Sequence, residues 1–433
     1  TVEINKASFK DCLTVQDGAG LYLYVRLESQ FILSGTASFQ NCNSQRYGGG
    51  LFANIQSKSQ LIFDMSSEFN QCESEYQGGG IRTSLQSGAK VTIEGSCSFT
   101  DCISTNGLGG GIYVSIDGSG SQLTIEGQMA FERCSSYYEG GGMYLDIFNS
   151  EQIKMSGFWL FKDCNSTDSG GGCYIYDPYP NHDIQLSGIM QFDQCKSEND
   201  GGGLYIYSEY SGQVTINEMS FTDCNSGLKK GGGQYLYVYR PDCKINITGE
   251  LKYSKCEAQL GGGLYADIRN NAIVEINQAS FTDCSSNSNG GGLLLFVRTG
   301  SQFVISGSAS FTDCNSADYG GGCYIQAFGP NYIINLLGNI QFFQCKSESE
   351  GGGLYIFGEL DGQITINDMS FTDCNSTQYG GGFYSYLDSG GQMTITGEIT
   401  FDNCRCTEAN DNYGGGQYLE ASGSDGLINI TGN

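Results

Sequence analysis

One histidine, one tryptophan and four prolines are the whole supply of those residues in a chain of 433. A lone histidine leaves no His-Cys spacing for a zinc site and no imidazole pair for proton transfer. Positive charge is scarce as well: 21 Lys and Arg stand against 47 Asp and Glu, a net charge of −26, and no cluster of five basic residues occurs. Nucleic acid, whose binding rests on neutralising phosphates, is thereby excluded as a partner, and anionic membranes and acidic sugars are disfavoured. No apolar run reaches 18 residues, so no direct membrane span is expected. The chain has neither an initiator Met nor a charged-then-apolar leader, and it reads as a mature or excised segment. Nor is there an apolar stripe at 3.6-residue spacing, the mark of an amphipathic helix.

Glycine, aromatic residues and cysteine are plentiful by contrast, at 65 Gly, 28 Tyr, 24 Phe and 19 Cys. Their placement is a tandem repeat. Fourteen times an aromatic residue is followed three places later by cysteine, two places after that by a small residue, and then by a glycine-rich corner. The cysteines run Cys12, Cys42, Cys72, Cys102 and onward to Cys404 at intervals of 28 to 32 residues. A period of this size means a solenoid or a propeller, in which each unit touches only its neighbours. Residues 1–433 are therefore expected to form a single domain, a segment of a longer or polymerised array.

Each unit carries three short runs of period-two alternation, as in Leu204 to Tyr207, Val214-Thr215-Ile216 and Ser220 to Cys224. Three half-buried strands per turn of about 30 residues describe an all-β parallel β-helix of about 14 coils, each strand pairing with its equivalent about 4.8 Å away. Equivalent side chains then stack in ladders, of which Phe39, Phe69 and Phe99 and the neighbouring Cys42, Cys72 and Cys102 are examples. The position two past the cysteine is Ser in eleven coils, so it is crowded. The glycine triplets point to positive φ or close backbone approach, and no Gly-Lys-Ser/Thr follows any of them to suggest a phosphate cradle. The residue before each cysteine, Asp11, Asn41, Gln71, Asp101, Arg133 and so on, sets almost every Asp beside a neutral or cationic neighbour, as an outward stacked column should.

A glycine-rich corner, a hydrophobic-Tyr pair as at Leu204-Tyr205, a strand and then Phe-x-x-polar together resemble the repeats of polymorphic outer-membrane autotransporter passengers and other pectin-lyase-like β-helix surface proteins. The likeness covers the whole chain, in a Gly-Gly-Gly-x-Tyr and Phe-x-x-Cys version. It implies a right-handed coil and a surface or adhesive role.

That fold also hosts polysaccharide lyases and hydrolases, which need a unique cluster of carboxylates with His, Arg or Lys. The repeats differ little, and the single His182 stands in a Pro-rich turn, where it reads as a solvated loop residue. No catalytic, cofactor-binding or metal-binding residues are assigned, and no cofactor is expected. The cysteine column reads as stacked buried thiols in preference to rung-to-rung disulfides, because parallel in-register Cβ vectors do not converge. Cys97 with Cys102 and Cys404 with Cys406 are candidates for local pairing. Tyr113, Tyr144, Tyr174, Tyr205, Tyr235 and Tyr265 form an outward column, which reads either as cross-strand aromatic stacking that stiffens the sheet or as a candidate interaction face for lateral packing or for sugars. Sequons at Asn165, Asn246, Asn375 and Asn429 and the many cysteines favour an extracellular or cell-surface glycoprotein carrying covalent glycans. Asn165 and Asn375 should lie in a turn, Asn246 and Asn429 on the outward side of a strand.

Residues 164–226 recur at 314–376, a duplicated block, and the chain opens and closes inside strands. Strand edges of that kind invite pairing, so the partner expected is self: a head-to-tail homopolymer, or neighbouring segments of the same fibre. The function expected is a structural subunit of an extracellular filament, fibril or stalk. The alternatives are a carbohydrate- or host-binding adhesin that uses the tyrosine face and, third, a polysaccharide lyase or hydrolase.

Overall fold

A computed structural model describes residues 1–149, 152–407 and 413–432, apart from the side chains of Met65 and Asn149. The chain divides into two compact units, Thr1–Met219 and Ser220–Asn433. Each is an all-β parallel solenoid with seven of the fourteen repeats, and no helix occurs among the described residues.

In the first unit one sheet is built from strands such as Gln30–Gln40 and Gln60–Asn70, which in later turns break into pairs such as Lys90–Ile93 and Cys97–Thr100. The second and third runs expected from the sequence thus lie end to end in one sheet. The run after the glycines gives the opposite sheet, with Leu51–Ile55, Ile81–Gln86 and Ile112–Asp117 stacked in parallel register. The third face is a ladder of two-residue strands just past the cysteine, among them Asn43–Ser44, Glu73–Ser74, Ile103–Ser104, Ser135–Ser136 and Asn165–Ser166. The second unit repeats the plan, with Leu264–Arg269 on Leu293–Arg298, Ile333–Leu336 on Gln363–Ile366, and Lys346–Ser347 beside Asn375–Ser376. Asn165 and Asn375 were expected in a turn; both lie in these short strands, whose length is below what alternation can register.

The core is a set of identical rungs. Phe39, Phe69 and Phe99 are in register, with ring centroids 4.5 and 4.8 Å apart and planes within 8°. In the second unit Phe281, Phe311, Phe342 and Phe371 continue the same motif at 4.7 to 4.8 Å. Tyr253, the one exception, keeps the stack and sends its hydroxyl to Gln234 Oε1 at 2.5 Å, so the polar group it brings inward is satisfied.

Two corners make the turn close. Every residue before a motif cysteine adopts the left-handed conformation, with φ between 50° and 55° from Asp11 to Asn403. Asp and Asn tolerate that region better than other side chains, which accounts for their frequency there. Across rungs these residues pair: Asn41 Nδ2 donates to Asp11 Oδ1 at 2.8 Å, and Arg133 Nε donates to Asp101 Oδ1 at 2.8 Å. At the other corner the triplet Gly48-Gly49-Gly50 has three separate reasons. Gly48 has φ +62°, a Cβ on Gly49 would sit 2.3 Å from Glu73 O, and a Cβ on Gly50 would sit 2.6 Å from Phe69 Cδ1.

Candidate functional site

The tyrosine column stands on the outer side of the sheet that follows the glycines, because its residues alternate with core positions such as Ile112, Val114 and Leu145. Its exposure is low. Tyr113, Tyr144, Tyr174, Tyr205, Tyr235 and Tyr265 retain only 2 to 9% of their accessible surface. Two effects cover them. The rings stack on one another, at 5.4 Å for Tyr113 on Tyr144 and 5.1 Å for Tyr144 on Tyr174. In several turns the residue just before the glycine triplet also folds over the column: Lys230 Nζ lies 5.5 Å from the Tyr235 ring and 5.1 Å from that of Tyr265, and Tyr319 packs on Tyr324 and Tyr355. The column is a stacked and covered layer, as cross-strand packing would make it.

Within the first unit this covered layer holds charge. Arg82 lies over the Phe52 and Tyr113 rings at 5.2 and 5.6 Å, and Tyr113 donates its hydroxyl to Asp146 Oδ2 at 2.6 Å. Burial pushes the Asp146 carboxyl up to about 6, against the pull of Tyr113 and Arg82. Burial, with Asp168 nearby, pushes Glu139 up to about 7. In the second unit Asp267 takes both Arg269 Nη2 at 2.5 Å and Arg298 Nε at 2.9 Å. Burial alone would raise its carboxyl, but the two guanidinium groups hold it below the ordinary value.

The cysteine column lines the corner next to the Phe ladder. Most of the thiols donate to the carbonyl of the Phe one rung away, among them Cys42 to Phe9 O at 3.7 Å, Cys72 to Phe39 O at 3.5 Å and Cys102 to Phe69 O at 3.5 Å. The same contact recurs in the second unit from Cys314 to Phe281 O at 3.6 Å and from Cys345 to Phe311 O at 3.4 Å. Cysteine suits the place because it is a small hydrophobe with one weak donor. Cys72, Cys102, Cys134, Cys314 and Cys345 are buried thiols, and burial pushes Cys102, Cys134, Cys314 and Cys345 well above the ordinary thiol range. The local pairings do not form. Cys97 is buried between Ser67 and Met129 in the ladder, and Cys406 Sγ lies 3.6 Å from Ser376 Oγ.

His182 is not a solvated loop residue. It is 3% exposed, and its Nδ1 meets Asp177 Oδ1, while Ser208 donates to Asp177 Oδ2 at 3.2 Å. At the offset of 150 residues the three positions are Ala327, Tyr332 and Gly358, and the Tyr332 ring fills the space. The two sets are alternative fillings of one corner, one polar and one aromatic, and sequence reading had no signal for it beyond the duplication itself.

The sequon asparagines are on the surface. Asn165 and Asn429 are exposed; Asn246 and Asn375 are half-buried. Asn165 Nδ2 donates to Asp163 O at 3.2 Å and Asn375 Nδ2 to Asp373 O at 3.0 Å, so both side chains are held in one orientation. Asn43, Asn225 and Asn315 occupy the same place after the cysteine but lack Ser or Thr two residues on. Around Asn375 runs a groove of about 640 Å³ lined by Asn315, Lys346, Glu348, Arg405 and Thr407. Among the described residues no three His, Cys, Asp or Glu side chains converge to hold a metal ion, and no helix is long and apolar enough to cross a membrane. No family model, curated protein or solved structure matches this chain.

Proposed function

We propose that the chain is a structural subunit of an extracellular or cell-surface filament or stalk, glycosylated at its sequon asparagines. What supports this reading most is repetition in the core: the same Phe, Cys and Gly rungs recur in each unit, so every turn offers the next the surface it received. Such an architecture adds length by adding turns. A further turn, in this reading, pairs onto an end of the solenoid, supplied head to tail by a second copy or by more of the same fibre. In this reading the repeats are a Phe-x-x-Cys relative of the autotransporter-passenger and pectin-lyase-like surface β-helices. The adhesin alternative depends on an open tyrosine face, and the low exposure of those rings weakens it. The lyase or hydrolase alternative requires a unique acid-base constellation open to substrate; Asp267 is tied up in ion pairs with Arg269 and Arg298, and the Asp177, His182 and Ser208 set is buried.

Electron microscopy of the native material at near-atomic resolution tests the proposal. Continuous filaments with β-sheet running through the chain junctions, and sugar density on Asn246 and Asn429, are the expected result. Discrete particles with bare asparagines would overturn it.

A further inference from the structure

Two large aromatic side chains on the first unit do nothing for its core. Tyr137 and Tyr138 are 49% and 44% exposed and pack edge to face with centroids 4.9 Å apart. They occupy the corner one turn below the Asn165 sequon. Ser135 pairs with Asn165 and Ser136 with Ser166; Thr167 N then donates to Ser136 O at 3.3 Å, Thr167 Oγ1 donates to Tyr137 O, and Asp168 N donates to Tyr138 O at 3.3 Å. Asn165 and Tyr137 both point outward, flanking the buried Ser136 and Ser166, which makes them diagonal neighbours on adjacent strands. In an antiparallel ladder such diagonal neighbours lie roughly 7 to 8 Å apart, within reach of a ring or a long side chain, and Tyr137, one residue past the parallel strand Ser135–Ser136, has the same two-residue offset from the partner of Asn165.

We propose that Tyr137 and Tyr138 are the seat of an N-linked glycan on Asn165, the first N-acetylhexosamine laying its C–H face on the Tyr137 ring. The inference rests on the glycoprotein reading given above. A pyranose has an apolar face and a polar rim, and a tyrosine has an apolar body and a polar tip, so each covers the other's apolar surface and leaves hydroxyls in water. The hydrogen bond from Asn165 to Asp163 O fixes the amide before the sugar starts. One N–H remains on a substituted amide, so that anchor survives attachment. The two tyrosines also bring no charge into conflict with a neutral sugar.

The second unit contains the control. Asn375-Ser376-Thr377 repeats the local sequence, Asn375 Nδ2 donates to Asp373 O as Asn165 Nδ2 does to Asp163 O, and Thr377 Oγ1 donates to the carbonyl of Glu348 one turn below. The aromatic pair is missing there. Its positions are taken by Glu348 and Ser349, and the strands on either side present Lys346 and Arg405. A glycan on Asn375 lies among polar and charged groups, whereas one on Asn165 has an aromatic seat.

The test uses the full chain secreted from a eukaryotic host, as wild type and as the Tyr137→Ser/Tyr138→Ser variant. Glycopeptide mass spectrometry first measures occupancy at Asn165 and Asn375. Release by a peptide N-glycosidase is then timed on the native proteins, with the N-acetyl methyl resonance of the Asn165 glycan followed by NMR. The expected result is that release at Asn165 becomes about three- to tenfold faster in the variant, the range that loss of an aromatic contact supplies, while release at Asn375 stays the same. The methyl resonance loses an upfield ring-current shift in the same variant. An unchanged emission of Trp159, buried in the same unit as the two tyrosines, certifies that the variant is folded. Occupied Asn165 with equal release rates and no ring-current shift overturns the seat and leaves the glycoprotein reading intact. Unoccupied Asn165 overturns the seat, and the glycoprotein reading falls with it only if Asn246, Asn375 and Asn429 are bare as well. A variant whose glycan is unaffected but whose copies no longer associate assigns the tyrosines to a chain-chain contact instead.

Discussion

Replacing Phe99 by alanine is the sharpest probe of the stacked core. The ring is fully buried and lies between Phe69 at 4.8 Å and Phe131 at 4.9 Å, with interplanar angles of 8° and 9°. Phe-to-Ala changes in cores cost about 3 to 5 kcal/mol, depending on how far the surroundings collapse into the cavity. Here they cannot collapse far, because the wall beside the ring is glycine backbone: a Cβ on Gly80 would stand 2.6 Å from Phe99 Cδ1, and Gly80 has no side chain to swing inward. The flanking rings are themselves held by the next rungs. The loss should thus fall at the upper end, about 4 to 5 kcal/mol, whereas Phe99→Leu, which keeps most of the volume, should cost roughly 1 to 2. Trp159 provides the readout. It is buried in the same unit with ring centroids 6.5 Å from Phe131 and 6.4 Å from Phe161, so its fluorescence follows unfolding of this stack in urea. Amide exchange of residues 90–104 checks that the loss is local. A cost below about 2 kcal/mol, or one no larger than that of Phe99→Leu, would refute the claim that glycine walls keep the cavity open.

Four further outcomes are expected. Glu139 has its carboxyl raised to about 7 by burial and by Asp168; the folded state therefore holds the proton more tightly, and this group's contribution is full below about 4.5 and is lost as pH rises to about 7. Glu139→Gln should accordingly raise the melting temperature at pH 8 and leave it unchanged at pH 4.5, and an equal shift at both would contradict the assignment. Gly49→Ala puts a methyl 2.3 Å from Glu73 O, whereas Gly88→Ala meets nothing closer than Lys58 Cγ at 3.3 Å; the second should cost only the roughly 1 to 2 kcal/mol of a left-handed alanine, and the first should block secretion of folded protein. His182→Tyr alone collides with Ser208, because a Cβ at the equivalent Gly358 lies 2.6 Å from Tyr332 Oη. Adding Asp177→Ala and Ser208→Gly should recover most of the lost stability, a non-additivity of about 0.5 to 3 kcal/mol in thermal melts. Iodoacetamide should leave Cys72, Cys102 and Cys134 unmodified in the native protein and alkylate them after denaturation, as mass spectrometry of their peptides would report.

The parallel coil, the Phe ladder and the glycine corner were legible because each depends on side chains recurring at a fixed position. Phe69 and Gly80 repeat in nearly every turn, and alternation tells which way they face. Features that depend on backbone angles or on neighbouring turns were not legible. A strand of two residues such as Asn165–Ser166 has no period to read. The left-handed residue before each cysteine looked like a charge column because its Asp and Asn content has two explanations, and only φ separates them. The tyrosine column faces outward as its alternation requires, yet Lys230 and Tyr319 cover it from a corner whose path the sequence does not reveal. His182 was misplaced for the same reason, since Ser208, which completes its polar cluster, comes from the following turn.

The glycine corner has a consequence for how such a chain changes over generations. Gly49 is pressed against the carbonyls of Glu73 and Gly79, both one turn on, so its fit is decided by the neighbouring repeat as much as by its own. An insertion inside a strand would put that rung out of step with the turns on either side, whereas a change of a residue or two at a corner is absorbed there, as repeat lengths of 28 to 32 residues show. A gain or loss of whole turns leaves all those fits intact. Recombination between repeats is thus the tolerated route to a new length, and the block 164–226 recurring at 314–376 bears that mark. A solenoid of this kind can thus change its length while each rung stays the same.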